Sequence, residues 1–181
     1  MSNIPSNYRI PESEIVDRLS RFRARLDKKQ PDWRLAVVLQ PLSIFYLSGT
    51  LATGVLWIPR DDAPTLFVRR GYGRACEESP LDDIRPIRSF RDIVEALGES
   101  AGKPLPEAVH IDKDGLSLSL FELFSRYFGF KEYRSLDAEL MAVRSVKSRY
   151  EIERIERSGE IHAAVLEELL PGMLCEGMSE A

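Results

Sequence analysis

The chain has 181 residues, of which 44% are hydrophobic and 30% charged, with 11 Gly, 11 Pro and a formal charge of −4. That mix excludes a disordered or collagen-like polypeptide, and the length predicts one domain, or one domain and part of another. No run approaches the ~18 apolar residues of a membrane span, the polar Met1–Pro11 start has no leader pattern, and the acidic balance argues against nucleic acid.

Pro11 to Lys29 carries Ile15, Leu19, Phe22 and Leu26 at helical spacing. Acids come early and Lys28 and Lys29 late, which complements the helix dipole, and Pro31 stops the helix. Leu35 to Leu39 reads as a buried strand, and Pro41 to Gly49 follows without an assignment. Gly54 to Ile58 and Thr65 to Arg69 flank the polar turn Arg60–Ala63 and predict an antiparallel hairpin. Gly71 to Pro80 reads as a loop, Ile84 to Arg88 as a weak strand, and Ser89 as the cap of a helix ending near Gly98.

Gly102 to Pro106 reads as a linker and Ala108 to Ile111 as a strand, followed by a turn at Asp114-Gly115. Leu118, Phe121, Phe124 and Phe128 predict an amphipathic helix closed by Gly129. A short strand lies around Tyr133 and a brief helix at Asp137–Met141. Ser148-Arg-Tyr-Glu151 is a capping box. It opens a helix of about six turns, with a Glu153–Arg157 pair and a stop before Pro171. One side of that helix holds Ile152, Ile155, Val165, Leu166 and Leu169. This unpartnered stripe predicts a chain cut short of a second domain. A helix folded back on its own globule, or paired with another chain, is the alternative.

Few side chains read as a reaction centre. Cys76 and Cys175 lack C-x-x-C spacing, so no disulfide or zinc site is predicted and a reducing cytoplasm fits. His110 and His162 have no metal-ligand partners at useful spacing and read as ordinary imidazoles. Asp112 and Asp114 read as local turn chemistry, Glu77-Glu78 and Asp82-Asp83 as solvated charges, and Arg18, Arg21, Arg25 and Lys28 as a solvated helix face. Gly71-Tyr-Gly73 is no phosphate loop, and Ser48 is not in a nucleophile elbow.

The run Arg144-Ser-Val-Lys147-Ser148-Arg-Tyr-Glu151-Ile152 resembles the entry to the catalytic domain of the creatinase/prolidase/aminopeptidase P family. Glu176 to Glu180 resembles the segment after the same helix in that family. Phe45-Tyr46-Leu47-Ser48-Gly49 with Val55–Pro59 resembles the turn and strand of its N-terminal domain.

The resemblance implies a three-layer α/β/α, ribonuclease-H-like domain with a mixed sheet over residues 1–143. Residues 144–181 would start a truncated pita-bread domain, being too short for a domain of ~100 residues or more. It further implies a cytoplasmic hydrolase as parent: a dimeric metallopeptidase of the Xaa-Pro dipeptidase (prolidase) or aminopeptidase type. Such a parent cleaves short proline-containing peptides with two divalent metal ions, whose ligands would fall beyond Ala181. This segment would then hold no catalytic or metal residue and no cofactor. Its roles would be homodimer contact and active-site shaping, with Thr50 and Leu51 lining a substrate rim. A metal-free protein-binding module and a creatinase-like amidinohydrolase remain as alternative parents.

Overall fold

The computed structural model describes residues 9–100 and 105–178. The polar start, the linker at Gly102–Pro106, and Ser179 and Glu180 of the closing motif lie wholly or partly outside them. The chain divides into two units, 1–144 and 145–181.

In the first unit, α1 (Glu12–Lys29) buries Ile15, Leu19, Phe22 and Leu26. Every residue of β1 (Leu35–Val38) is buried. Where the sequence pattern assigns no element, the chain forms α2 (Pro41–Ser48). Pro41 suits a first helical position, where no N–H partner is needed, and Gly49 leaves the helix in the left-handed region at φ 81°. The hairpin of β2 (Thr53–Pro59) and β3 (Thr65–Arg70) is antiparallel as predicted. The loop expected after it contains a helix, α3 (Tyr72–Glu78), entered through Gly71 at φ 81° and anchored by buried Ala75.

There follow β4 (Asp83–Pro86), α4 (Phe90–Ser100), β5 (Ala108–Ile111), α5 (Leu118–Phe128), β6 (Glu132–Ser135) and α6 (Asp137–Ser145). Helix α6 outruns its predicted end at Met141 because Leu140 and Val143, one turn apart, are both buried.

The six strands form one mixed sheet in the order β4-β3-β2-β1-β5-β6. Only β2 runs against its neighbours. Strand residues alternate between faces. Leu35, Val37, Val55, Trp57, Phe67, Val109 and Ile111 meet Ile93 of α4 and Phe124 and Phe128 of α5 in one core. Phe90, Phe124, Phe128 and Phe130 pack there at 4.5–6.1 Å between ring centroids, Phe90 edge-on and Phe130 stacked. The alternate set, Ala36, Val38, Leu56, Ile58, Leu66 and Val68, is buried on the opposite face. Helices therefore cover both faces, giving the predicted α/β/α layering.

The predicted solvated stripe of α1 is corrected at Arg18. Its side chain is buried, bonds Glu14 at 2.7 Å and the Tyr46 carbonyl at 3.0 Å, and lies 4.5 Å over the Tyr46 ring. Tyr46 in turn donates to the Val143 carbonyl at 3.3 Å, joining α2 to α6.

In the second unit, α7 (Arg149–Ala164) has both halves of its capping box. Ser148 Oγ accepts from the Glu151 N–H at 3.1 Å, and Glu151 Oε2 accepts from the Ser148 N–H at 3.0 Å. Glu153 pairs with Arg149 and Arg157 with Glu160, in place of the predicted Glu153–Arg157 pair. The helix also passes the predicted stop. It widens to a π-turn over Val165–Leu169 and resumes as α8 (Leu170–Met173). Pro171 lacks an N–H and crowds the carbonyl four residues back, and the wider turn relieves both constraints. Ile152, Ile155, Ile161, Leu166 and Leu169 are all exposed.

Candidate functional site

The carboxyl ends of β1, β3 and β5 lie at one end of the sheet, where ligands of open α/β folds gather. That end carries α2, α3 and the four-residue segment Gly49–Ala52 that feeds β2. Gly49 is confined there: its φ of 81° favours glycine, and a Cβ would lie 3.3 Å from Pro80 Cδ and 3.6 Å from Ile15 Cδ1.

Thr50 and Leu51, the expected rim residues, have different environments. The Thr50 side chain is buried, and its hydroxyl donates to Glu78 Oε2 at 2.7 Å. Leu51 is 47% exposed. Its carbonyl accepts from Arg74 Nη2, and Arg74 Nε sits 3.8 Å from Glu78 Oε1. Ser79 Oγ donates to the Ser48 carbonyl at 2.5 Å. Thus α3 grips the segment from 48 to 51, and Leu42 and Phe45 of α2 are also exposed. Glu78 is therefore a partly buried anchor, which corrects its reading as a solvated charge. The same correction applies to Asp83, which accepts from Thr65 Oγ1 at 2.8 Å and pairs with Arg85 at 2.7 Å.

Asp112 corrects the local-turn reading. Its buried carboxylate accepts from the N–H groups of Leu39 at 2.8 Å and Gln40 at 2.9 Å, so the end of β5 clasps the start of α2. Burial pushes this carboxyl up from 3.8 to about 7, against the pull of those two N–H donors. The real turn acid is Asp137, which accepts from the N–H groups of Lys113 and Asp114 at 3.0 Å each. His110, two residues before Asp112, is also buried. Burial first, and then the charge of Arg134, hold its pKa below 6.5. His162 is exposed.

Among the described residues, no three His, Cys, Asp or Glu side chains converge to hold a metal ion. These residues therefore do not fit a metal centre. The Thr50 hydroxyl faces a carboxylate but is buried, and neither histidine is its hydrogen-bond partner. The arrangement can hold a backbone segment and present an apolar side chain.

A cavity of about 1230 Å³ opens at the other end of the sheet, floored by Leu35, Trp57 and Phe67. Arginines at its rim already have partners: Arg85 pairs with Asp83, and Arg60 with Asp27 and the Pro31 carbonyl. Sequence reasoning missed Arg74, Glu78 and Asp112. Only the proximity of an acid to a turn was visible locally, and their partners lie 23 to 73 positions away.

The family model of the Creatinase/Prolidase N-terminal domain matches residues 18–146, more than two thirds of the chain. The chain belongs to the creatinase/prolidase N-terminal domain family. Among curated relatives, an Xaa-Pro dipeptidase from Pyrococcus furiosus is 28% identical over 164 residues, covering 87% of this chain and 44% of that protein. The solved prolidase from Pyrococcus furiosus superimposes with a TM-score of 0.65 at 28% identity, over 82% of this chain and 46% of that one. The isolated creatinase/prolidase N-terminal domain of an X-Pro dipeptidase from Streptococcus pyogenes shares the fold. Its TM-score is 0.57 at 20% identity, over 70% of this chain and 98% of that one. This creatinase/prolidase N-terminal domain chain thus spans less than half the length of the Pyrococcus relatives it matches. No helix among its described residues is long and apolar enough to cross a membrane.

Proposed function

We propose that this chain is the non-catalytic amino-terminal part of a cytoplasmic, metal-dependent Xaa-Pro dipeptidase or aminopeptidase. The observation that carries this reading is the family match over residues 18–146, together with 28% identity to an Xaa-Pro dipeptidase nearly twice as long. Residues 1–143 form the N-terminal domain, and the segment from Arg144 begins the catalytic domain. Two divalent metal ions, held by that catalytic domain, would polarise the scissile amide and supply hydroxide. The N-terminal domain contributes homodimer contact and limits access to short proline-containing peptides.

Within it, Gly49–Ala52 borders the substrate. Leu51 offers the apolar surface, and Thr50, through Glu78, fixes the backbone beside it. The geometry supports this division because Leu51 is exposed while the Thr50 hydroxyl is already bonded.

The test is hydrolysis of Xaa-Pro dipeptides by the full-length polypeptide with divalent metal, beside the 181-residue chain alone. Chelator-sensitive cleavage by the full-length protein, a dimer on sedimentation, and no cleavage by the short chain are expected. Cleavage by the short chain would overturn the assignment of roles. Inactivity of the metal-loaded full-length protein on every Xaa-Pro dipeptide would overturn the activity.

A further inference from the structure

We propose that Arg74 and Glu78 of α3 are positioning residues that lock the segment Gly49–Ala52, and through Leu51 set how tightly a proline-containing dipeptide binds. This inference rests on the proposed role of that segment and adds the device that holds it.

The segment has little of its own to fix it. Gly49 turns the chain, Leu51 is half exposed, and Ser48 and Thr50 share only long hydrogen bonds of 3.4 Å. Beyond the Gly49 N–H, which donates to the Phe45 carbonyl at 2.9 Å, its firm partners come from α3 and the residue after it. Glu78 takes the Thr50 hydroxyl at 2.7 Å, Arg74 takes the Leu51 carbonyl, and Ser79 takes the Ser48 carbonyl at 2.5 Å. Three of four successive residues, 48, 50 and 51, are thereby held from one side by α3 and the residue that caps it.

Arg74 and Glu78 are four residues apart, so both point the same way. The carboxylate accepts from Thr50 on one oxygen and faces the guanidinium with the other. A side chain that must order itself on binding weakens the complex, whereas one held in place beforehand does not. The clasp therefore acts on substrate affinity and leaves the chemical step alone.

The experiment uses the full-length polypeptide and the variants Glu78→Ala, Arg74→Met, Thr50→Val and Leu51→Ala. Backbone hydrogen exchange is read at residues 50–52, together with KM and kcat for an Xaa-Pro dipeptide. Losing one such bond lowers the local opening cost enough to speed exchange roughly tenfold. Glu78→Ala and Arg74→Met are expected to do so while the sheet amides stay protected. KM should rise roughly threefold to tenfold with kcat within about twofold. Glu78→Gln, which still accepts from Thr50, should recover part of both effects. Glu78→Ala and Thr50→Val should be non-additive in a double-mutant cycle.

Unchanged exchange at 50–52 in folded Glu78→Ala and Arg74→Met overturns the clasp, even where Leu51→Ala raises KM and so upholds the rim. Faster exchange with KM unmoved in every variant, Leu51→Ala included, overturns the rim itself and the inference with it.

Discussion

Replacing Gly54 by alanine tests the fold at the point where the candidate segment enters the sheet. Gly54 is the second residue of β2, and the register with β3 shifts by a residue between Thr53 and Gly54. A Cβ there would lie 1.9 Å from the Phe67 carbonyl oxygen, 3.0 Å from the Phe67 carbonyl carbon and 3.1 Å from Val68 Cα. All three are backbone atoms of the neighbouring strand, so no side-chain rotation can relieve the clash. Reaching ordinary contact requires the two strands to part by about 1.5 Å.

Overpacking of this kind costs ~1–3 kcal/mol, and each ladder hydrogen bond lost adds ~1 kcal/mol. With two such bonds lost, the sum is about 3–5 kcal/mol. For a chain of this size, that lowers Tm by roughly 10 °C. Trp57 on β2 and Trp33 before β1 are both buried, so tryptophan fluorescence follows loss of the sheet in a thermal or urea melt. Gly73→Ala in α3 is the control, because a Cβ there meets nothing within 4 Å. It should be neutral or stabilising by up to ~1 kcal/mol. A Gly54→Ala protein that melts with the wild type would refute the close approach of β2 and β3 described above.

Asp112 gives a pH dependence of unusual sign. Its carboxyl titrates at about 7 in the folded chain against 3.8 for a free side chain, so its contribution to stability is complete below about pH 4 and is lost as pH rises through about 7. The urea midpoint of the wild type, measured against Asp112→Asn, should fall over that range by an amount on the order of a few kcal/mol in stability. A flat difference would refute the burial argument. His110 works the other way: its depressed pKa makes its contribution complete above pH 6.5 and lost as pH falls below it. His110→Leu should flatten the acid limb of the stability profile. Arg18→Met strips the buried Glu14 carboxylate of its guanidinium and should cost about 3 kcal/mol. Arg21→Met breaks a more exposed pair with Asp17 and should cost under ~1 kcal/mol. Thermal melts of the two variants side by side decide whether burial ranks them.

Local sequence determined those parts of this protein whose causes are local. The stripe Ile15–Leu26, the hairpin across Arg60–Ala63, the strand Ala108–Ile111 and the Ser148–Glu151 capping box all follow from periodicity, turn chemistry and caps within a few residues. So did the resemblance in Arg144–Ile152 that led to the family. Tertiary structure decided the rest. Pro41–Ser48 is apolar almost all round, so periodicity could not mark it as a helix before burial was known. Arg18, Glu78 and Asp112 looked like solvent or turn charges. Each became an anchor because folding brought it to a partner 28 to 73 positions away and removed the water that would have competed. A hydrogen bond across that separation leaves no periodic trace in the chain. The grip of α3 on Gly49–Ala52 therefore exists only once β2 and β3 have paired and set the two segments side by side.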